Sequence, residues 1–126
     1  MKQEFRIIAY LIKKKTRVLD VGCGDGTLME FLKNNKEIDI RGIEISKVNV
    51  QRCIGKGLTV IEGDAEKDLS QFPDESFDVV LDKGTIDSVL CGEGSTSNAG
   101  KTLSEITRVL KPNGVLVCIS YGIPDN

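Results

Sequence analysis

The stretch RVLDVGCGDG, residues 17–26, constrains this chain more than any other. An apolar run, Val18, Leu19 and Val21, leads into a turn with glycine at 22, 24 and 26. Apolar residues resume at Leu28, Met29, Phe31 and Leu32. The pattern predicts a buried strand, a tight turn and the start of a helix. Glycine at such a junction removes the Cβ atoms that would hold a ligand away from the backbone. The helix start behind it offers N–H groups with no partner inside the helix. A nucleoside-containing ligand is the expectation.

The spacing narrows that expectation. A dinucleotide turn reads G-x-G-x-x-G, whereas here the third glycine comes one residue early and Thr27 holds its place. The Gly-Lys-Ser/Thr ending of a phosphate loop is absent. Asp20 and Asp25 put two carboxylates beside the turn. They would repel a pyrophosphate and attract a cation. S-adenosylmethionine carries an ammonium and a sulfonium and no phosphate, so it suits this turn. A turn that only packs a helix onto a sheet would read the same in this stretch alone.

At 126 residues the chain has room for one domain, 1–126, with a real core. Its net charge of −2 supplies no surplus of cations for a phosphate backbone, so no nucleic-acid partner is expected. No apolar run approaches the length of a membrane span, and MKQEFRIIAYLIKKK lacks the apolar centre and cleavage site of a signal peptide. The four cysteines, 23, 53, 91 and 118, form no C-x-x-C pair, and histidine is absent. Reduced thiols in a cytoplasmic protein without a metal site are the expectation. The missing histidine also excludes histidine triads and the commonest general base.

Along the chain, Phe5, Ile8, Ala9, Leu11 and Ile12 give a short helix with an apolar face. Strand one is read at 17–21, a helix at 26–33, strand two at 38–45 and a helix from the N-cap Ser46 to about 53 or 54. Strand three is 58–62, and a short polar helix or turn follows at 65–70. Strand four is 77–82, then a turn and short helix in KGTIDSVL, then a loop at 91–100. The next helix buries Leu103, Ile106, Val109 and Leu110, KPNG turns the chain, and strand five is 115–120. Strands that alternate with helices and are apolar throughout predict a parallel sheet covered on both faces. Ligands of such sheets bind beyond the carboxyl ends of the strands.

Those ends carry an acid each: Asp20, Glu44, Asp64 and Asp82. Glu44 follows Gly24 by twenty residues, the offset at which a carboxylate meets ribose hydroxyls. Asp64 is placed to accept from an adenine amino group, with the Ala65 N–H donating to a ring nitrogen. Asp20 is placed to anchor the turn or to reach an ammonium through water.

With these residues the chain resembles the class I S-adenosylmethionine-dependent methyltransferases over nearly its whole length. LDVGCGDG, with Gly22 and Gly24, is similar to their first motif. GIEIS, with Glu44 and Ile45, is similar to the ribose-binding strand end, and EGDAE, with Asp64 and Ala65, to the adenine-binding turn. Residues from about 5 to 80 resemble MetW-type proteins. From 77 onward, DKGTIDS and CISYG resemble eukaryotic lysine methyltransferases of elongation factor 1-alpha. The resemblance implies a doubly wound Rossmann-like sheet in the order 3-2-1-4-5, here without the family's final antiparallel hairpin. It also implies S-adenosylmethionine as cofactor, bound by Asp20, Gly22, Gly24, Glu44, Ile45, Asp64, Ala65 and Asp82.

The expected chemistry is methyl transfer to a protein lysine or a small-molecule acceptor, with Asp82 orienting an amine or taking its proton and Lys83 beside it. Thr85, Asp87 and Tyr121 are weaker candidates. Cys91 has no basic neighbour to lower its pKa and is not expected to act as a nucleophile. The alternative is a truncated or designed Rossmann-like module that binds the cofactor, or only folds, without catalysis. A regulatory partner subunit of the MetW kind is a third reading. Strand five is expected as an uncovered, uncharged edge, through which the protein self-associates.

Overall fold

A computed structural model describes residues 3–83 and 96–119, with the side chains of the second segment described from residue 100. The elements are α1 (Gln3–Leu11), β1 (Arg17–Val21), α2 (Thr27–Asn35), β2 (Asp39–Glu44) and α3 (Lys47–Gly55). They continue with β3 (Thr59–Glu62), a 3-10 turn (Asp68–Gln71), β4 (Phe77–Lys83), α4 (Thr96–Val109) and β5 (Leu110–Ile119). Five strands form one sheet in the order β3-β2-β1-β4-β5, and every neighbouring pair is parallel. This is the Rossmann-like, doubly wound order expected.

The apolar strands separate two cores. Val18 of β1 and Leu81 of β4 face α1, α2 and α3, where Ile8, Ile12, Leu28, Met29, Leu32 and Cys53 close over them. Leu19, Val21 and Val80 face the other side and pack with Leu69, Ile106 and Val109. Successive strand residues point to opposite faces, so a strand covered on both sides needs no polar alternation. The 3-10 turn is fastened by the edge-on ring contact of Phe72 with Phe77, with centroids 5.4 Å apart.

Helix ends follow local chemistry. Ser46 caps α3 by accepting the Asn49 N–H at 3.3 Å. Asp25 closes the start of α2 by accepting both the Thr27 N–H, at 3.0 Å, and its hydroxyl, at 2.6 Å. Those two bonds hold the Asp25 carboxyl below its usual range.

Three readings need correction. The segment 91–100 is not all loop, because α4 already begins at Thr96. The small and polar residues there are poor helix formers, but one face of α4, with Thr102, Ile106 and Val109 fully buried, packs on the sheet. Tertiary packing outweighs propensity. Leu103, expected in the core, is 38% exposed, and Thr102 takes its place. KPNG does not precede the last strand but is extruded within it. Phe77 pairs with Leu110 and Val79 with Val115, so four residues of β5 stand against one of β4. Thr85, Asp87, Cys91 and Tyr121 lie outside the described residues.

Candidate functional site

Because all five strands run parallel, their carboxyl ends open along one edge. Asp20, Glu44 and Asp82 stand at the ends of β1, β2 and β4, and Asp64 lies two residues beyond β3. They share the edge but not the face. Asp20 pairs in register with Leu81, and Asp82 with Val21. Residues paired across parallel strands point the same way, so Asp20 points toward α2 and Asp82 toward the 3-10 turn and α4. Gly42, two residues before Glu44, faces Cys23 and Met29, which puts Glu44 on the α2 side with Asp20.

The glycine turn is built from left-handed backbone. Gly22, Gly24 and Gly26 have φ of 71°, 61° and 87°, a region other residues avoid. Two amides of the turn, Gly22 and Cys23, donate to the Ile43 carbonyl at 2.9 and 3.2 Å. A Cβ on Gly26 would lie 2.6 Å from Leu58 Cδ1 and 2.9 Å from Cys53 Sγ. A Cβ on Gly24 would meet nothing within 4 Å among the described residues. The turn is therefore packed tightly behind Gly26 and open in front of Gly24.

Glu44 spans that open side. Its Oε1 accepts the Gly24 N–H at 2.8 Å and its Oε2 accepts the Ser46 N–H at 3.0 Å. Ile45, the next residue, is 66% exposed. Asp64 is not brought into this cluster. Its carboxylate accepts the Glu66 N–H at 2.9 Å, and Asp68 accepts the Asp64 N–H at 2.6 Å, so the side chain closes its own turn. Ala65 packs beside it against the core on the α4 side.

Asp20 is fully buried, and neither of its oxygens has a hydrogen-bond partner among the described residues. Among the described residues its counter-charge is Lys83, whose Nζ lies 3.5 Å from Oδ2. That separation makes an ion pair rather than a good hydrogen bond. The same ammonium donates to the Cys23 carbonyl at 3.2 Å. Burial pushes the Asp20 carboxyl up to about 6; Lys83 pulls it back, and the charges of Asp82 and Glu44 push it further. Cys23 lies behind the turn with its Sγ 4.0 Å from that of Cys53. Burial, and then the charge of Asp20, raises its thiol. The edge thus presents a row of carboxylates, one of them buried and held by a single long ion pair to Lys83 among the described residues.

Sequence reasoning expected Lys83 beside Asp82 as part of the reacting group, but the strand turns the two side chains to opposite faces. The Lys83–Asp20 pair escaped it, because the expected strand order makes β1 and β4 neighbours without giving the register and face that bring these two side chains together.

Comparison with known proteins follows the same lines. Residues 2–120 match the family described as methionine biosynthesis protein MetW. The human eEF1A lysine and N-terminal methyltransferase is 38% identical over 115 residues, which cover 86% of this chain and 16% of that protein. The human mitochondrial citrate synthase-lysine N-methyltransferase CSKMT is 34% identical over 128 residues, covering 86% of this chain and 52% of that one. The chain thus spans at most about half the length of these curated relatives. Among solved structures, a SAM-dependent methyltransferase from Archaeoglobus fulgidus superposes with a TM-score of 0.73 at 27% identity, over 86% of this chain and 46% of that one. The [4+2]-cyclase SpnF superposes with a TM-score of 0.74, also at 27% identity, over 90% and 42%.

Proposed function

The chain belongs to the family of the methionine biosynthesis protein MetW, within the class I S-adenosylmethionine-dependent methyltransferases, and from that premise we propose that it binds S-adenosylmethionine and carries a methyl group to a protein lysine or small-molecule acceptor. The observation that carries this reading is Asp20: a fully buried carboxylate without a hydrogen-bond partner, beside a glycine turn that is open in front of Gly24. Lys83, at 3.5 Å, offsets only part of the cost of burying this carboxylate, and a cationic ligand at hydrogen-bond distance offsets more.

The residues present fit the cofactor. Gly22 and Gly24 would let it reach the backbone, Glu44 would take the ribose hydroxyls, and exposed Ile45 would lie against the base. Asp64 and Ala65 would meet the edge of the adenine, and Asp20 the amino-acid ammonium. When bound, the sulfonium supplies an already activated methyl group. The protein's part is then to hold the acceptor in line and to exclude water. Asp82, buried at the end of β4, is the group to orient an acceptor amine and to take its proton, since the amine must be neutral to react. Lysine as acceptor is supported by the likeness to the two lysine methyltransferases.

The fold alone does not settle the reaction, since a cyclase shares it. The second reading is therefore a cofactor-binding module without transfer. Incubation with methyl-labelled S-adenosylmethionine and cell extract separates the two. Transfer of label by the wild type, lowered about a hundredfold by Asp82→Asn, supports the enzyme. Cofactor binding without any labelled product supports the module.

We also propose self-association through β5, which borders the sheet among the described residues and exposes Val115. A cytoplasmic location accords with the free thiols of Cys23 and Cys53. No helix among the described residues is long and apolar enough to cross a membrane.

A further inference from the structure

We infer that Lys83 is an internal stand-in for the cofactor's ammonium: in the free protein its Nζ occupies the acceptors that the ligand's ammonium needs, and it must leave them when that ligand binds. The inference rests on the reading of this edge as an S-adenosylmethionine site.

The acceptors are Asp20 Oδ2 at 3.5 Å and the Cys23 carbonyl at 3.2 Å. Both belong to the strand end and turn that would receive the amino-acid part of the cofactor. Lys83 lies on the same face of β4 as Leu81, two residues earlier, and so on the face of Asp20. Its side chain is only 11% exposed, so the ammonium is held inward and not in solvent. Nearby Glu44 accepts the Gly24 and Ser46 amides, and its remaining lone pairs are those proposed for the ribose hydroxyls. Two ammonium groups on one buried carboxylate repel each other with little water to screen them. The lysine stem is long and flexible, and its head can move to water while the stem stays packed. Binding is then an exchange of cations at Asp20. Lys83 keeps the free site neutral and lowers the affinity for any adenosyl ligand that carries an amino group. An adenosyl ligand without that group has no need of Asp20 and is unaffected.

Calorimetry at pH 8 on the whole chain tests this with two ligands, S-adenosylhomocysteine, which has the ammonium, and methylthioadenosine, which lacks it. Lys83→Met keeps the stem and removes the charge. The expected result is about tenfold tighter S-adenosylhomocysteine with methylthioadenosine unchanged. Weaker binding of S-adenosylhomocysteine alone would mean that Lys83 grips the ligand's carboxylate, and overturns the inference. Equal changes for both ligands, or no change, also overturn it, while leaving the cofactor site in place. Failure of both ligands to bind either protein removes the site itself, and the inference with it. Lys83→Gln repeats the comparison should the methionine variant fold poorly, and the ratio between the two ligands remains the readout.

Discussion

Glu44 Oε1 accepts the amide N–H of Gly24 at 2.8 Å, across twenty residues of chain, and so ties the end of β2 to the glycine turn after β1. The other oxygen holds the Ser46 N–H that opens α3. One carboxylate therefore shapes the turn and two strand ends before any ligand arrives.

Glu44→Ala is accordingly expected to lower stability as well as ligand binding. It leaves two backbone donors without their charged acceptor, at a cost of about 1.5–3 kcal/mol. Urea unfolding of the two proteins measures this, and an unchanged midpoint would show that water replaces the carboxylate freely.

Asp20 makes stability depend on pH in a definite direction. Its carboxyl is raised from 3.8 to about 6 in the folded protein, by burial above all. The folded chain therefore binds this proton more tightly than the unfolded chain does. The stability contributed by the group is full below pH 3.8 and is lost as pH rises through about 6. The gap between the two values corresponds to about 3 kcal/mol. Asp20→Asn lacks the titration, so the stability difference, variant minus wild type, should grow from pH 4 to pH 7. A difference flat across that range would show that Asp20 is not raised.

Gly42→Ala probes the packing behind the turn. The new methyl would lie 2.8 Å from both Cys23 Sγ and Met29 Sδ and 3.1 Å from Cys23 Cβ. Overpacking of this kind costs about 1–3 kcal/mol. Cys23→Ala in the same chain removes one of the two nearest atoms and should return part of that loss. Thermal melts of the single and double variants measure the coupling, and strict additivity would mean that the two residues do not press on each other.

The β5 edge is expected to pair with a second copy. Val115 is 53% exposed, and a lysine there places a charge where such edges are usually blunted. Sedimentation velocity in reducing buffer should show association that weakens in Val115→Lys. A wild type that stays monomeric at high concentration speaks against pairing through this edge.

Much of this architecture was legible in the residues because strand and helix periods differ so strongly. RVLDVGCGDG reads as strand, turn and helix from its apolar positions and glycines alone. The twenty-residue offset of Glu44 from Gly24 pointed to ribose hydroxyls and gave no sign of the bond that Glu44 makes to the Gly24 N–H. The faces were not legible. Phe77, Val79, Val80 and Leu81 are all buried, and a strand covered on both sides carries no alternation to show which way Asp82 points. The Asp20–Lys83 pair was hidden for the same reason, since it depends on the register of β1 against β4 and on the face each side chain takes. The start of α4 was hidden because its first turn is poor in helix formers and is held by packing further along.

The central claim is that this edge holds an adenosyl cofactor, and titration calorimetry of S-adenosylmethionine into the wild type and Glu44→Gln tests it most directly. The account predicts saturable binding to the wild type and binding weaker by about tenfold or more in the variant. No binding to the wild type, or equal affinity in both proteins, would contradict it.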